Sequence, residues 1–323
     1  TTAYEMLAGR AGCVAVYNYR TGEILCLASG PGYDPDHMPD IENDTSGQYD
    51  GVYVNRPIAA SYTPGSIFKL VTATAALESI PDILQRSFTC NGVTQIGGLD
   101  VHCLNVHGTI SFADALAKSC NVAFGELAVE LGAQTLSDCA AKLGITSRVS
   151  FDGLTTAAGQ FAADDSNAWE LAWAGIGQST DLVNPVQYMT LMGAIANGGR
   201  AAQPYLVAAA GSHRAETTLM DACIDAATAE QLAALMVNNV QTVYGSWNFP
   251  VQTVGAKSGT AEQAQGASNA LFAGFVQSED YPLAWSEARR TGRALRVLMF
   301  AQWARGLEAM VKVVAPEPPH QPP

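Results

Sequence analysis

The sequence predicts an α+β protein in which an antiparallel sheet, built from N- and C-terminal strands, is flanked by helices. Two observations carry this prediction. Strand-like patterns concentrate at residues 12–29 and 251–277, whereas the chain between them carries mostly helical patterns. The chain is also long enough, at 323 residues and 48% hydrophobic, to bury a large core.

The N-terminal strands are predicted from residues 12–29, which alternate aliphatic and aromatic residues on both sides of a turn at residues 20–22. Residues 30–51 are acidic and rich in Gly and Pro, which indicates a long surface loop. A helix is then predicted from Pro64, because proline suits a helix start. Its run to Glu78 is apolar nearly all round, which is typical of a buried helix.

The central helices are indicated by their termini. Residues 109–132 open with a Ser111-x-x-Asp114 capping pattern and continue helically, with a break near Ser119. Further helices are predicted at residues 137–144, 184–199 and 225–244. Residues 251–277 are predicted to form a hairpin of two strands, connected near residues 265–269.

The charge balance excludes several functions. A formal net charge of −13 argues against nucleic acid and against an anionic membrane surface as main partners. No apolar run approaches the 18 residues of a membrane span, and no signal peptide is recognisable.

A lysine in the first turn of the predicted buried helix requires an explanation. Ser66 and Lys69 are three positions apart and therefore share one helix face. An ammonium is costly to bury, so Lys69 needs partners or a lowered pKa. The alternative is that Lys69 reaches solvent and Ser66 only caps the helix.

A serine nucleophile requires a base, and the pattern favours Lys69 for that part. The sequence holds no Gly-x-Ser-x-Gly elbow, and its five histidines fall in predicted loops or in the tail. A lysine acts as a base only if its pKa falls towards 7, which burial and a second nearby cation both promote. Lys257, in a predicted strand, is the candidate second cation.

Three motifs in order make the chain resemble the serine penicillin-recognising enzymes, in particular the transpeptidase domain of class B penicillin-binding proteins. The motifs S-x-x-K, S-x-N and K-[ST]-G stand here at residues 66–69, 119–121 and 257–259. Longer blocks support the likeness from about residue 10 to about residue 285, among them residues 55–70 and 175–199. The resemblance implies a penicillin-binding transpeptidase or serine β-lactamase-like fold.

The resemblance implies four catalytic residues. Ser66 would attack the carbonyl of a D-Ala-D-Ala stem peptide, with Lys69 as its general base. Ser119 would pass a proton to the departing D-Ala, and Lys257 would tune the cluster electrostatically. Cys120, inside the second motif, is interpreted as a packing residue rather than a catalyst.

Four more residues would bind substrate. Asn121 would hold a substrate amide, and Ser258 or Thr260 would bind the substrate carboxylate. Gly259 would allow the strand to approach the substrate closely. The backbone N–H groups of Ser66 and Thr260 would form the oxyanion hole, and a neighbouring stem peptide would supply the amine that finishes the reaction.

The resemblance therefore implies a peptidoglycan D,D-transpeptidase that β-lactam antibiotics inhibit covalently. No cofactor and no catalytic metal are expected. The expected partners are stem peptides, β-lactams and, for a full-length protein, membrane-anchored cell-wall synthesis machinery at the extracytoplasmic face of a bacterial membrane. Two alternatives stay open. One is a serine β-lactamase, for which residues 164–167 (DDSN) offer a candidate deacylation loop. The other is a non-catalytic β-lactam sensor or cell-wall scaffold.

The chain also departs from the family pattern. Class B members carry a membrane anchor and an extended N-terminal domain, neither of which is recognisable, so residues 1–285 are predicted to be an excised catalytic domain. Residues 286–323 are predicted to be an atypical basic tail with a Pro-rich end. A C-terminal helix is predicted there, with an apolar face that comprises Leu298, Met299, Trp303, Leu307 and Met310.

Seven cysteines are too sparse for a disulfide scaffold. One group of potential metal ligands stands out and comprises Cys90, His102, Cys103 and His107. The segment between them is Gly-rich, which indicates a hairpin. Its residues are compatible with free thiols, with a Cys90–Cys103 disulfide, or with a zinc site.

Overall fold

The computed structural model describes residues 2–249, 253–262 and 268–291, and a five-stranded antiparallel sheet lies at its centre. The helices are α1 (Thr2–Leu7), α2 (Arg56–Ala59), α3 (Lys69–Ser79), α4 (Phe112–Ala117), α5 (Asn121–Lys142), α6 (Ala168–Gly175), α7 (Pro185–Ala196) and α8 (Ala226–Asn239). Short 3-10 turns occur at Gly65–Ile67, Ile83–Gln85 and Ser246–Asn248, and a π-helical turn at Val240–Tyr244.

The strands are β1 (Gly12–Asn18), β2 (Ile24–Gly30), β3 (Ser87–Cys90), β4 (Val93–Ile96), β5 (Leu99–His102), β6 (Gly108–Ser111), β7 (Ser150–Phe151), β8 (Leu154–Thr155), β9 (Ala209–Ala210), β10 (His213–Arg214), β11 (Val254–Glu262), β12 (Ser268–Val276) and β13 (Leu283–Thr291). The central sheet has the order β11-β12-β13-β1-β2, and every neighbouring pair is antiparallel. The predicted sharing of one sheet by N- and C-terminal strands is therefore confirmed.

Strand β13 runs across the domain boundary that the sequence suggested after residue 285. Residues 286–291 pair with β12 and β1 and complete the sheet rather than starting a separate tail. Every side chain from Leu283 to Arg289 is buried, so this strand lacks the alternation that would have identified it. The rest of the predicted tail, residues 292–323, lies outside the described residues, and so does its predicted helix.

The sheet buries both of its faces. Helices α7 and α8 pack against one face, and α3 and α5 extend this main core. On the opposite face, apolar residues of α1 belong to a second core cluster that includes Val14, Phe272 and Trp285. Across the described residues, no helix combines the length and the apolar character that a membrane crossing requires.

The predicted helices are present, with one change. The break near Ser119 separates α4 from α5, as the sequence suggested. The short helix predicted at residues 137–144 is instead the second half of α5, which continues through a kink at Gly132 with φ +80°. The predicted hairpin near the C-terminus is formed by β11 and β12.

Candidate active site

Ser66 lies on the 3-10 turn that leads directly into α3. The turn is fixed from both sides: the Gly65 N–H donates to the Gly177 carbonyl over 2.8 Å, and the Tyr188 hydroxyl donates to the Ile67 carbonyl over 2.6 Å. Gly65 has φ +54°, and a Cβ there would collide with the backbone of Thr260. The glycine therefore lets the Ser66 turn lie directly against strand β11.

Lys69 is the first residue of α3 and is fully buried. Its Nζ lies 3.2 Å from Ser66 Oγ and 3.2 Å from Ser119 Oγ. The same nitrogen donates over 2.7 Å to the Ser119 carbonyl and over 2.7 Å to Asn121 Oδ1. The alternative that Lys69 reaches solvent is therefore wrong.

The turn between α4 and α5 brings Ser119 to this lysine. Ser119 has φ +57°, an uncommon value for a non-glycine residue, and its N–H donates to the Leu116 carbonyl over 3.1 Å. Asn121 begins α5, and its Nδ2 donates to the His102 carbonyl over 2.9 Å. That bond orients the amide so that its oxygen faces Lys69.

Lys257 reaches the same serine from strand β11. Its Nζ donates to Ser119 Oγ over 3.1 Å and to the Ser258 carbonyl over 2.9 Å, and the side chain is fully buried. The Ser119 hydroxyl thus lies between two lysine nitrogens. No carboxylate among the described residues forms an ion pair with either lysine.

Burial without a counter-charge changes the acidity of both lysines. Desolvation lowers the pKa of Lys69 to about 7, and the nearby Cys103 and Cys120 thiols offset part of that shift. Desolvation also lowers the pKa of Lys257 well below its ordinary value, and the charge on Lys69 lowers it further. Lys69 can therefore be a neutral amine near neutral pH.

The hydrogen-bond geometry around Lys69 suits the neutral form. A neutral amine has two N–H donors and one lone pair. The two shortest contacts of its Nζ are with the Ser119 carbonyl and Asn121 Oδ1, which only accept hydrogen bonds. With both donors used there, the lone pair is left for a hydroxyl proton such as that of Ser66.

Strand β11 forms one edge of the central sheet, and this edge faces the Ser66 turn. The Thr260 carbonyl accepts from Gln178 Nε2 over 3.3 Å on that side. Since the N–H and C=O of one residue point to the same side of an antiparallel strand, the Thr260 N–H also points towards the turn. A Cβ on Gly259 would collide with the Pro64 carbonyl, so glycine is required for this close approach.

The structure brings together all eight residues that the sequence singled out for the site. They are Ser66, Lys69, Ser119, Asn121, Lys257, Ser258, Gly259 and Thr260. The hydroxyl-bearing residues Ser66, Ser119, Ser258 and Thr260 are partly exposed, whereas both lysines are fully buried. The hydroxyl groups are therefore accessible to a substrate, and the two lysine amines lie buried beneath them.

Sequence reasoning missed three residues that support this site. The Tyr244 hydroxyl lies 3.1 Å from Ser258 Oγ and accepts from the Ser258 N–H over 3.0 Å. Asn239 Nδ2 donates to the Ala256 carbonyl over 3.0 Å, and Gln178 holds Thr260 as described. All three come from distant segments, so no local spacing signalled them.

A cluster of sulfur and nitrogen ligands lies next to the Ser119 turn. Its members are Cys90, Cys103, His107 and Cys120, whose ligand atoms all lie within 4.8 Å of one another. His102, which the sequence placed in this group, points elsewhere and is largely exposed near Asp100. All seven cysteines are free, so the structure contains no Cys90–Cys103 disulfide.

Comparison with protein families adds an independent finding. Residues 12–291 match the family described as the penicillin binding protein transpeptidase domain. A relative in Mycobacterium tuberculosis, peptidoglycan D,D-transpeptidase PbpA, is 29% identical over 272 residues, which cover 78% of this chain and 55% of that protein. Stage V sporulation protein D of Bacillus subtilis is 30% identical over 200 residues, 60% of this chain and 30% of that protein. The chain therefore spans about half the length of PbpA.

Solved structures agree with the fold. The D,D-transpeptidase domain of a peptidoglycan glycosyltransferase from Eggerthella lenta superposes with a TM-score of 0.84 at 28% identity, covering 97% of this chain and 80% of that one. Penicillin-binding protein A of M. tuberculosis, solved as an imipenem acyl-enzyme complex, gives a TM-score of 0.84 at 25% identity, with coverage of 95% and 76%. The predicted fold class is thereby confirmed.

Proposed function

Because the chain belongs to the penicillin-binding protein transpeptidase family, we propose that it cross-links peptidoglycan stem peptides as a serine D,D-transpeptidase. The observation that carries this proposal is the buried Lys69 amine, which lies 3.2 Å from both Ser66 Oγ and Ser119 Oγ. A neutral amine in hydrogen-bond reach of a hydroxyl is the arrangement that activates a serine nucleophile.

Acylation begins when Ser66 Oγ attacks the carbonyl between the two D-Ala residues and its proton passes to Lys69 Nζ. The backbone N–H groups of Ser66 and Thr260 stabilise the oxyanion, because both lie where the turn and the edge strand meet. Ser119 carries a proton from the lysine pair to the nitrogen of the leaving D-Ala. The products of this half-reaction are free D-Ala and a Ser66 ester.

The second half-reaction uses the same groups in reverse. The amine of a neighbouring stem peptide attacks the Ser66 ester and gives up its proton through Ser119 and Lys69. The Ser66–carbonyl bond then breaks, a new peptide bond remains, and Ser66 recovers its proton. Proton transfer in both directions requires a base with a pKa near the working pH, which burial gives to Lys69.

The substrate is held by groups around this centre. Asn121 binds a backbone amide of the donor peptide, and Ser258 or Thr260 binds its terminal carboxylate next to Lys257. Tyr244 fixes the Ser258 hydroxyl from behind. A β-lactam has the same carboxylate and amide, so it acylates Ser66 as a substrate analogue.

Peptidoglycan is the substrate of the named D,D-transpeptidase relatives, and penicillin-binding protein A forms β-lactam acyl-enzymes. For this chain, we infer that the reaction takes place at the extracytoplasmic face of a bacterial membrane, in association with membrane-anchored cell-wall synthesis machinery. No cofactor takes part in the steps above.

The test is intact mass spectrometry after incubation with benzylpenicillin. Wild type should gain one penicilloyl adduct, and Ser66→Ala should gain none. Ser61→Ala is the matched control: Ser61 belongs to the same segment, but its hydroxyl donates to the Ala158 carbonyl over 3.0 Å and faces away from the lysines. An adduct on Ser66→Ala, or none on wild type, would refute the assignment.

The two alternatives give different outcomes in a turnover assay. A β-lactamase would hydrolyse many equivalents of a chromogenic cephalosporin, whereas a transpeptidase gives about one equivalent and a lasting adduct. The DDSN segment does not favour the lactamase, because its side chains cap helices: Asp165 accepts from the Ala133 N–H over 2.7 Å, and Asn167 caps α6. A sensor would be acylated but would release no D-Ala from a stem peptide offered with an acceptor amine.

A further inference from the structure

The cluster of Cys90, Cys103, His107 and Cys120 has no part in the transpeptidation chemistry. Its members come from four places: the end of β3, the residue after β5, the residue before β6 and the N-cap of α5. Three thiols and one imidazole are thus brought to one point from segments up to 30 residues apart. Cys90 and Cys120 are buried, and the other two are half-buried.

The distances within the cluster match a tetrahedral ion site. Zn–S bonds of about 2.3 Å place two sulfurs about 3.8 Å apart at the corners of a tetrahedron, and a sulfur and a nitrogen about 3.6 Å apart. Here the Sγ atoms of Cys103 and Cys120 are 4.0 Å apart, and Cys103 Sγ is 3.7 Å from His107 Nδ1. With all four atoms within 4.8 Å of one another, contraction by less than about 1 Å would bring them to bonding positions.

The donor set selects the metal. Three soft thiolates and one imidazole in a tetrahedral arrangement suit Zn²⁺, whereas Mg²⁺ and Ca²⁺ require oxygen ligands. With four protein ligands the ion has no open position, so its role is structural and not catalytic. We propose a structural Zn²⁺ site whose ligands are Cys90, Cys103, His107 and Cys120.

Backbone N–H groups already point at two of the sulfurs. The Asn121 N–H donates to Cys103 Sγ over 3.3 Å, and the Ala123 N–H donates to Cys120 Sγ over 3.5 Å. Such bonds stabilise metal-bound thiolates and fix their orientation. On binding, the three thiols release their protons to solvent, and the ion compensates the negative charge that would otherwise be buried.

The position of the site gives the ion a consequence for the neighbouring serine. Cys120 lies between Ser119 and Asn121, which both contact Lys69. The ion would tie this turn to the β3–β6 segment and so hold the strained Ser119 backbone in place. Cys120 would thus be a positioning residue as well as a buried packing residue.

The test is elemental analysis of the full chain, expressed with zinc in the medium and dialysed against a weak chelator. Wild type should keep close to one zinc per chain, and His107→Ala and Cys90→Ser should lose most of it. Cys26→Ser is the matched control, because Cys26 is a half-buried thiol on β2 outside the cluster, and it should keep the full content. Replacement of zinc by Co²⁺ in wild type should give the visible absorption of a tetrahedral cobalt–thiolate centre.

Wild-type protein with no bound zinc, or with a disulfide among these cysteines, would overturn the proposal. Equal zinc in His107→Ala and wild type would overturn it as well. If a variant fails to fold, as judged by circular dichroism, the wild-type metal content and cobalt spectrum still decide the question. Metal content does not depend on acylation, so it is decided separately from the proposed function.

Discussion

At Lys69, burial changes what a lysine side chain can do. An ammonium in water is a weak acid, and only its neutral form accepts a proton. Lys69 is buried away from water, and no carboxylate among the described residues forms an ion pair with it. A second buried lysine, Lys257, lies on the far side of Ser119. Desolvation therefore lowers the pKa of both amines, and the charge on Lys69 lowers the pKa of Lys257 further.

The pH dependence of acylation follows from this arrangement. Lys69 has a pKa of about 7, so the fraction of neutral amine, and with it the rate, should rise through pH 7 and fall about tenfold for each unit below it. The measurement is the time course of penicilloyl adduct formation between pH 5.5 and 8.5. Lys69→Arg, which stays charged at every such pH, should show no adduct. A flat profile for wild type would contradict a role for Lys69 as base.

Asp181 shows the opposite effect of burial on a carboxyl group. It is fully buried, and among the described residues neither of its oxygens has a hydrogen-bond partner. Desolvation raises its pKa well above the ordinary value. The folded state therefore keeps a proton that the unfolded state releases above about pH 4, so Asp181 costs stability as the pH rises from there.

Asp181→Asn should accordingly stabilise the protein at pH 7, by roughly 1–2 kcal/mol, and the gain should shrink towards pH 4. Urea unfolding at several pH values measures this difference. Asp165→Ala is the contrasting variant, because Asp165 accepts a backbone N–H and alanine offers no acceptor in its place, so this substitution should destabilise. Equal effects of the two substitutions at pH 7 would contradict the argument.

At the scale of elements, the site is a contact between a turn and an edge strand. The Ser66 turn and β11 approach so closely that both require glycine, at Gly65 and at Gly259. The motif pattern could predict this requirement at Gly259, because a K-S-G strand next to a serine helix implies close approach, whereas the requirement at Gly65 emerged from the structure. It could not predict Tyr244, Asn239 or Gln178, whose contacts depend on how distant segments pack.

Gly259→Ala should separate these two elements. Its Cβ would collide with the Pro64 carbonyl and contact Ile67, so the oxyanion donors would move apart by a fraction of an ångström or more. We expect penicillin acylation to slow by about 100-fold while the protein stays folded. Gly153→Ala, in the exposed turn between β7 and β8 where a Cβ meets nothing, should cost some stability through its φ of +79° but leave acylation unchanged. Equal rates in the two variants would contradict the prediction.

For the whole molecule, the sequence predicted most of the arrangement but not its C-terminal limit. The strand–helix–strand order was sufficient for the fold class, and the three motifs selected eight residues that the structure brings together. They were not sufficient for β13, because a strand that is buried on both faces and carries Glu287 and Arg289 resembles neither an alternating strand nor a uniformly apolar one. Those two charged side chains are buried and form an ion pair with each other, which explains how a central strand tolerates them.

The central position of β13 leads to a test of the whole architecture. Ala288 pairs with Leu271 on β12 and with Cys13 on β1, so β13 joins the C-terminal hairpin to the N-terminal one. Ala288→Pro removes an N–H from the centre of the sheet and should abolish cooperative unfolding and penicillin acylation together. Ala209→Pro, in the exposed two-stranded ribbon β9–β10, should cost no more than about 1–2 kcal/mol and keep acylation. If Ala288→Pro were as mild as Ala209→Pro in urea unfolding, residues from 286 onwards would behave as a separate tail, which would contradict the central place of β13 between β12 and β1.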